Sequence, residues 1–317
     1  MIESQIYSFD PTEIDCSGEW LLYPSSSNGD FIASIKTIGQ LVPVLVEIDG
    51  DTTKLIAGRS RVAAAKALGL SVKAIAVEAG DDVARALIHL EENRARVADD
   101  ALKLAVFRYF YSRMDKKELS QRVAPLLGIK PKARDMKLWL AWMELSHDFD
   151  GVLTAGNIPL AAVTVLSKLS DDDKAAVLPY FLNLGWSRSN AVNFLTWLYE
   201  TSRRDSKPVA TILEEKDLPL VRENESPKDG VARLCKAAKQ IRYPAFSELL
   251  KAQEKIVSEI CVGTKWRVES VGNFETGEVT VQTRFKSREV MQRAIEDLSS
   301  IQKSDGWDKL FELGREK

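Results

Sequence analysis

Apolar and polar positions change their period twice along this chain. In the first hundred residues, runs of period two alternate with runs of helical period. Val42-Pro-Val-Leu-Val-Glu-Ile48 is a short β-rich run closed by the turn Asp49-Gly50-Asp51. Lys54-Leu-Ile-Ala57 predicts a second strand, which meets Gly58 and an alanine-rich helical stretch stopping at Gly69. Val72 to Val77 predicts a third strand. Asp81-Asp82 then opens a helix reaching Glu92, its acids placed at the positive end of the helix dipole.

From about Asp99 to Arg204 the strand pattern vanishes. Leu102, Val106, Phe107 and Phe110 recur at helical spacing, and breaks fall near Gly128, Gly151, Gly156 and Gly185. No heptad is sustained, so the region predicts packed helices rather than a coiled coil. Residues 205–230 read as a linker, with Pro208, Pro219, Pro227, Gly230, mixed charge and little periodicity.

The tail patterns as a separate small unit. A helix is expected from about Phe246 to Ile260. Two alternating runs follow, with Trp266 and Val268 on one face of the first and Val279, Val281, Thr283 and Phe285 on one face of the second. Gly272-Asn273 and Thr276-Gly277 supply turn residues between them. Ser287 caps a further helix to about Ile301, with Val290, Met291, Ala294, Ile295 and Leu298 on its apolar side. About 55 residues make a thin core, so pairing with a second copy is the physical expectation. The fold class expected is α+β and multidomain: an α/β domain over 1–98, an all-helical domain over 99–204, a linker over 205–230 and an α-β-β-α domain over 231–317.

Composition narrows the reading. No apolar run approaches the roughly 20 residues that span a bilayer, and the opening MIESQIYSFDPTEID carries acids and no basic stretch, unlike a secretory signal. Cys16, Cys235 and Cys261 are too few and scattered for a disulfide framework or zinc site. The expectation is a cytoplasmic protein without a membrane partner. The net charge of −2, from 44 Lys+Arg against 46 Asp+Glu, excludes a surface that is basic throughout and leaves room for a local basic patch. His89 and His147 read as unspecialised helix-surface histidines.

The segment Leu55-Ile-Ala-Gly58-Arg59-Ser60-Arg61-Val-Ala-Ala-Ala-Lys66 carries the most chemistry. A strand runs into glycine and a helix begins at once, which presents backbone N–H groups and the positive helix end at one point. Gly58 permits close approach, and Arg59 and Arg61 can add charge-assisted hydrogen bonds to phosphate. A strand-to-helix turn with solvated arginines is the alternative. Glu92-Asn93-Arg94-Ala95-Arg96 offers a carboxylate and an amide as hard oxygen ligands for magnesium. If the helix continues, Arg96 lies one turn from them; a Glu92–Arg96 surface ion pair is the competing reading.

Together these segments resemble the ParB/sulfiredoxin-like nucleotide-binding domain of ParB partition proteins. Ser34-Ile35-Lys36-Thr37-Ile38-Gly39-Gln40-Leu41-Val42-Pro43-Val44 is similar to the family's "SI…G…QPI" segment, Gly58-Arg59-Ser60-Arg61 with its alanine helix to "GxRRxxAA", and Glu92-Asn93-Arg94-Ala95-Arg96 to "ENxxR". The resemblance implies a pocket for CTP and Mg2+ in which Gly39, Pro43, Gly58, Arg59, Ser60, Arg61, Asn93 and Arg96 bind the nucleotide and Glu92 and Asn93 lie near the metal. It also implies domain closure that turns a dimer into a DNA clamp. Three positions depart: Val42 stands where the family has glutamine, Ser60 where an arginine pair begins, and Arg59 where many members carry a glutamate. An acid at that position is implicated in hydrolysis in the family, and arginine cannot activate water as a carboxylate does. Binding is therefore expected more firmly than turnover, and a weak CTPase activity is left open.

The resemblance continues with Lys117-Glu118-Leu119-Ser120-Gln121-Arg122-Val123-Ala124 as the first helix of a helix-turn-helix, Leu127-Gly128-Ile129 as the turn and Lys132 to Leu145 as the recognition helix. Seven basic residues (Lys116, Lys117, Arg122, Lys130, Lys132, Arg134, Lys137) face only Glu118 and Asp135 between positions 116 and 137. Arg122, Lys130, Lys132, Arg134 and Lys137 are the candidates for double-stranded DNA, with Arg134 placed for a base edge; a solvated helix face is the alternative. Gly156-Asn157-Ile158-Pro159-Leu160-Ala161-Ala162 is similar to a further family helix, with alanine in place of histidine. Trp139, Trp142, Trp186 and Trp197 read as core. The implied partners are DNA, a second copy of the chain through the C-terminal domain and, by analogy alone, a ParA-type ATPase. A DNA-binding transcriptional regulator with a degenerate nucleotide pocket is the alternative function.

Overall fold

The computed structural model describes residues 2–25, 28–216, 218, 220, 225–270 and 278–313. Its contacts divide the chain into two compact units, Met1–Leu195 with Leu220–Val231, and Thr196–Pro219 with Ala232–Lys317.

The first unit begins with strands β1 (Ile2–Phe9) and β2 (Ile14–Asp15) and helix α1 (Gly29–Ile38). Strands β3 (Val44–Asp49) and β4 (Thr52–Ala57), helix α2 (Arg59–Leu68), strand β5 (Val72–Val77) and helix α3 (Asp82–Glu92) follow. The five strands make one sheet in the order β1-β5-β3-β4-β2. The β3–β5 and β2–β4 pairs are parallel; β1–β5 and β3–β4 are antiparallel. Val44, Val46, Leu55, Ile56, Ala57, Val72 and Ala74 are fully buried; the consecutive Leu55, Ile56 and Ala57 bury both faces of β4, while Val44 with Val46 and Val72 with Ala74 bury one face of β3 and of β5. Helix α1 packs on α2, α2 on β3 and β5, and α3 on β4. The small side chains Ala64 and Ala65 let α2 lie close to the sheet.

Three elements here lie outside the sequence expectation. β1 completes one edge of the sheet and β2 the other, and α1 stands on Asn28, whose side chain accepts from the Phe31 N–H at 2.9 Å. β1 carries polar residues on a half-exposed edge, so its apolar signal is weak.

Between Asp100 and Asp205 the described elements are helical. α4 (Asp100–Tyr111) is capped by Asp99. A single irregular run then comprises α5 (Lys116–Glu118), a wider π turn (Leu119–Val123) and a 3-10 turn (Ala124–Leu127), ending on Gly128 at φ 73°. α6 (Arg134–Met143), α7 (Asp150–Thr154), α8 (Val163–Leu166) and α9 (Asp171–Val177) follow. Trp139, Trp142 and Trp186 are buried as expected, whereas Trp197 is half-buried. Arg108 ties this region together: it grips Asp150 with two hydrogen bonds (2.8 and 2.9 Å) and donates to the carbonyls of Met143 and Leu145 at the end of α6.

α10 (Arg188–Asp205) runs from the first unit into the second. The range read as a linker holds α11 (Val209–Glu215), with Val209, Ile212 and Leu213 buried, and the start of α12 (Pro227–Arg242). Spacings of three and four among Val209, Ile212 and Leu213 are the helical signal that the flanking proline and charges obscured. α13 (Pro244–Ile260), β6 (Arg267–Ser270), β7 (Val279–Gln282), α14 (Arg288–Ile301) and α15 (Gly306–Glu312) form the tail. β6 and β7 pair antiparallel, Val268 opposite Val281. The core is small: Ile260, Val268, Ile301 and Leu310, with Trp266, Val279, Leu298 and Trp307 packed around them. The expected turn residues Gly272, Asn273, Thr276 and Gly277 and the linker's Pro219 lie outside the described residues. Thr283 and Phe285 fall beyond the end of β7, and α15 was not foreseen.

Candidate functional site

The N-terminus of α2 is built differently from those of its neighbours. α1, α3 and α4 start on Asn28, Asp81 and Asp99, each of whose side chains accepts a backbone N–H of the first turn. α2 starts on Gly58, which has no side chain to cap with, and its first turn carries no acid. Neither a side-chain cap nor a first-turn acid offsets its positive end, which is electrostatically suited to an anion. Gly58 is required twice over. Its backbone sits at φ 109°, ψ 27°, a left-handed conformation that L side chains rarely adopt. A Cβ there would also stand 2.6 Å from Val44 Cγ1 and 3.1 Å from Arg61 Nε.

Arg61 is fixed rather than solvated. Its Nη1 donates to the carbonyls of Val42 (3.1 Å) and Pro43 (2.5 Å), and its Nη2 lies 3.3 Å from Glu92 Oε1. Pro43 thus reaches the site through its carbonyl. The loop carrying it is held in turn by Gln40, whose side chain donates to the carbonyls of Val42 (3.0 Å) and Lys73 (2.8 Å) and accepts the Lys73 N–H (2.8 Å). Gly39 caps the end of α1 at φ 76° and is not among the residues lining the pocket described next.

Gly58, Arg59, Ser60 and Arg61 meet His89, Asn93, Arg96, Tyr23, Pro24 and Phe31 around a cavity of about 100 Å³. Six of the residues expected from the sequence therefore converge, although more than thirty positions separate the two segments. Tyr23, Pro24, Phe31 and His89 are pocket residues outside the sequence expectation; the first three lie in an aromatic-bearing stretch ahead of the first family-like segment, and His89 lies on α3 just before the third.

His89 overturns the surface reading. It is 2% exposed; its Nδ1 donates to the Ile56 carbonyl (2.8 Å) and its Nε2 accepts the Tyr23 N–H (3.1 Å). Two backbone groups thereby hold one neutral tautomer. Burial, with lesser help from the Arg59 and Arg96 charges, pushes its pKa down to about 4. Its role is to bind the loop before α1 to strand β4.

The helix expected to carry Arg96 stops at Glu92. Asn93 is its C-cap and a turn, closed by the Arg96 N–H on the Asn93 carbonyl (2.9 Å), brings Arg96 back toward the pocket. No Glu92–Arg96 pair forms: Glu92 meets Arg61, while Arg96 donates to Asn93 Oδ1 (3.3 Å) and the Pro24 carbonyl (3.5 Å) and lies 4.8 Å over the Tyr23 ring. Burial also raises the Tyr23 pKa, keeping its hydroxyl protonated.

For a divalent metal the fit is partial. Among the described residues no group of three or more His, Cys, Asp or Glu could hold an ion. Glu92 keeps an exposed carboxylate suited to Mg2+ shared with ligand phosphates, but the Asn93 oxygen already faces a guanidinium.

The second basic cluster surrounds α6. This helix starts at Arg134, after the uncapped Ala133, so Lys130 and Lys132 lie in the preceding turn rather than on it. Pro131 and the turn closed by the Ala133 N–H on the Lys130 carbonyl (2.9 Å) delay the helix. Lys130, Lys132, Arg134 and Lys137 are all exposed. Arg122 pairs with Glu118 (3.4 Å) and Lys116 with Glu144 (2.5 Å), which draws two of the seven charges into local ion pairs.

In the second unit, Ile295, Leu298, Trp307 and Phe311 line an apolar groove between α14 and α15. Met291 and Ile295, on the apolar side of α14, are 39% and 47% exposed. Among the described residues no helix is long and apolar enough to cross a membrane.

No protein-family model and no curated relative matches the sequence. Among solved structures, the chain is similar to a C-terminally truncated chromosome-partitioning protein ParB from Caulobacter crescentus complexed to the centromeric parS site. The identity is 17%, with 60% of this chain and 98% of that chain covered and a TM-score of 0.38. The same ParB complexed with CTP-gamma-S matches at 18% identity over 57% of this chain and 100% of that one, with a TM-score of 0.25.

Proposed function

We propose that this chain is a ParB-like DNA-binding protein whose α2 pocket binds the phosphates of CTP. The observation that carries the reading is the convergence of Gly58, Arg59, Ser60 and Arg61 with Asn93 and Arg96 at an uncapped helix N-terminus. Backbone N–H groups, the helix dipole and three guanidiniums concentrated at one cavity make a phosphate site in chemical terms. The cavity is matched to a phosphate group and falls short of the ~300 Å³ at which small-molecule pockets begin, so a whole nucleotide requires the Tyr23–Pro24 wall to yield. Glu92 is the residue that would share a Mg2+ ion with the phosphates.

The exposed residues Lys130, Lys132, Arg134 and Lys137 are the proposed contacts to double-stranded DNA, Arg134 at the first position of the recognition helix. The groove between α14 and α15 is the proposed surface for a second copy of the chain, since a core of four fully buried apolar residues leaves Ile295 and Phe311 uncovered. Nucleotide binding that closes such a dimer on DNA is the mechanism this layout supports, in plasmid or chromosome partition.

Titrating the protein with labelled CTP and magnesium, with and without DNA, tests the pocket. Saturable binding that Arg59→Ala weakens is expected; no binding in either condition removes the switch. A second reading, a DNA-binding regulator without nucleotide control, is favoured by the pairing of Arg61 with Glu92 and of Arg96 with Asn93, which occupies groups a nucleotide would need. Crosslinking between engineered cysteines across the dimer separates the two: only a switch responds to CTP.

A further inference from the structure

The phosphate end of the pocket leaves open which group reads the rest of the ligand. Tyr23 is 3% exposed and belongs to the pocket wall, together with Pro24, Phe31 and His89. Its ring is engaged by the Arg96 guanidinium at 4.8 Å and by the tilted His89 ring at 5.8 Å. Its backbone N–H is taken by His89. Its hydroxyl is not: among the described residues, Tyr23 Oη is the single buried side-chain N or O atom without a hydrogen-bond partner. Buried hydroxyls are nearly always paired, and one that is not calls for an explanation, a bound partner among the candidates. Trp20, three residues earlier, shows the ordinary case, its indole N–H donating to the Leu55 carbonyl at 2.7 Å.

We infer that Tyr23 contacts the nucleoside part of the ligand, its hydroxyl hydrogen-bonding a sugar hydroxyl or a polar atom of the base. The inference rests on the phosphate-pocket reading and adds the recognition element to it. The phosphates occupy the end made by Gly58, Arg59 and the start of α2, so what extends from them meets the wall formed by Tyr23, Pro24 and Phe31. Admitting a nucleoside enlarges the cavity at this wall, and the same movement uncovers the hydroxyl. A tyrosine hydroxyl carries one donor and two acceptor sites, which suits a sugar or base edge. An oxygen of an already crowded polyanion is better served by the arginines.

Tyr23→Phe removes the hydroxyl and keeps the ring that Arg96 and His89 pack against. CTP and inorganic triphosphate, each with magnesium, are titrated into wild type and variant by calorimetry, and thermal unfolding of the ligand-free proteins is recorded alongside. The expected result is an affinity for CTP lowered about tenfold, triphosphate affinity unchanged, and a ligand-free melting temperature equal to or above that of wild type, since an unpaired buried hydroxyl has been deleted. Equal CTP affinity in wild type and Tyr23→Phe overturns the inference and leaves the phosphate pocket standing. Equal losses for CTP and triphosphate also overturn it, assigning Tyr23 to the shape of the phosphate end. If wild type binds neither ligand, the pocket reading itself falls and takes the Tyr23 contact with it.

Discussion

α2 and α6 begin alike and end up in opposite situations. Each starts without a side-chain cap, on Gly58 and Ala133, and each puts basic residues into its first turn. Around α2, the loop before α1 and the turn after α3 build walls, so the positive end sits at the bottom of a cavity with Arg61 pinned in place. Around α6 nothing covers Lys130, Lys132, Arg134 or Lys137. The same electrostatic element suits one compact anion when it is enclosed and pre-oriented. Left exposed, such an element suits a long polyanion, whose binding is diffuse and sensitive to salt. What distinguishes the two is burial and an acid: both carry arginine, but α6 has Asp135 in its first turn and α2 has none.

Gly58→Ala attacks the enclosed helix end most directly. Left-handed strain and the approach to Val44 together are expected to destabilise the fold by about 4 kcal/mol, read as a shift in the denaturant midpoint. A loss under 1 kcal/mol would mean that the backbone at Gly58 is not held as described.

Acid separates the two ends next. The His89 pKa is depressed in the folded state, so the neutral form contributes its stability above the unfolded value near 6.5. That contribution is lost as pH falls through the window down to about 4, because the unfolded chain takes up the proton first. The full loss is on the order of 3 kcal/mol, and His89→Gln should flatten the pH dependence of the first unit. No histidine lies at the start of α6, so the exposed end should not respond in this window.

Arg59→Ala is expected to weaken triphosphate binding by about 2 kcal/mol, roughly 30-fold, with unfolding unchanged because Arg59 enters no ion pair with another described residue. Arg134→Ala and Lys137→Ala are each expected to cost about 1 kcal/mol of DNA affinity and to lower the salt slope by about 1, leaving triphosphate binding intact. The smallest change sharpens the comparison from the other side. Ala133→Asp gives α6 the cap it lacks and should stabilise it by about 1 kcal/mol, while its carboxylate weakens DNA binding. Improved stability with undiminished DNA affinity would place the DNA surface elsewhere.

The elements with strong periodicity were legible in the sequence. β3, β4 and β5 with the helices between them followed from apolar runs ended by glycines, and Gly58 to Arg61 was recognisable because strand, glycine and helix succeed one another without a gap. What the sequence hid was long-range. His89 sits on a helix face like any other, and only the fold shows that Ile56 and Tyr23 take both its nitrogens. Arg96 was placed by extending α3, whereas the Asn93 cap turns the chain back. β1 escaped because a half-exposed edge strand carries little apolar signal, and α15 because its Trp307, Leu310 and Phe311 make only one helical repeat in seven residues. Lys132 was assigned to α6 because Pro131, which sets the turn before it, lies only one residue upstream.

Gln40 has a kinetic consequence. Its side-chain amide stands in for a peptide unit beyond the last β3–β5 pair at Val44, so the Lys73 amide hydrogen is shielded by a side chain from another segment. Isotope exchange at that one amide therefore reports how often the loop carrying Val42 and Pro43 lets go of the sheet, and with it how often Arg61 loses its backbone anchors. A ligand that fastens Arg61 should slow this clock, and Gln40→Ala should start it running freely at a distance from any phosphate.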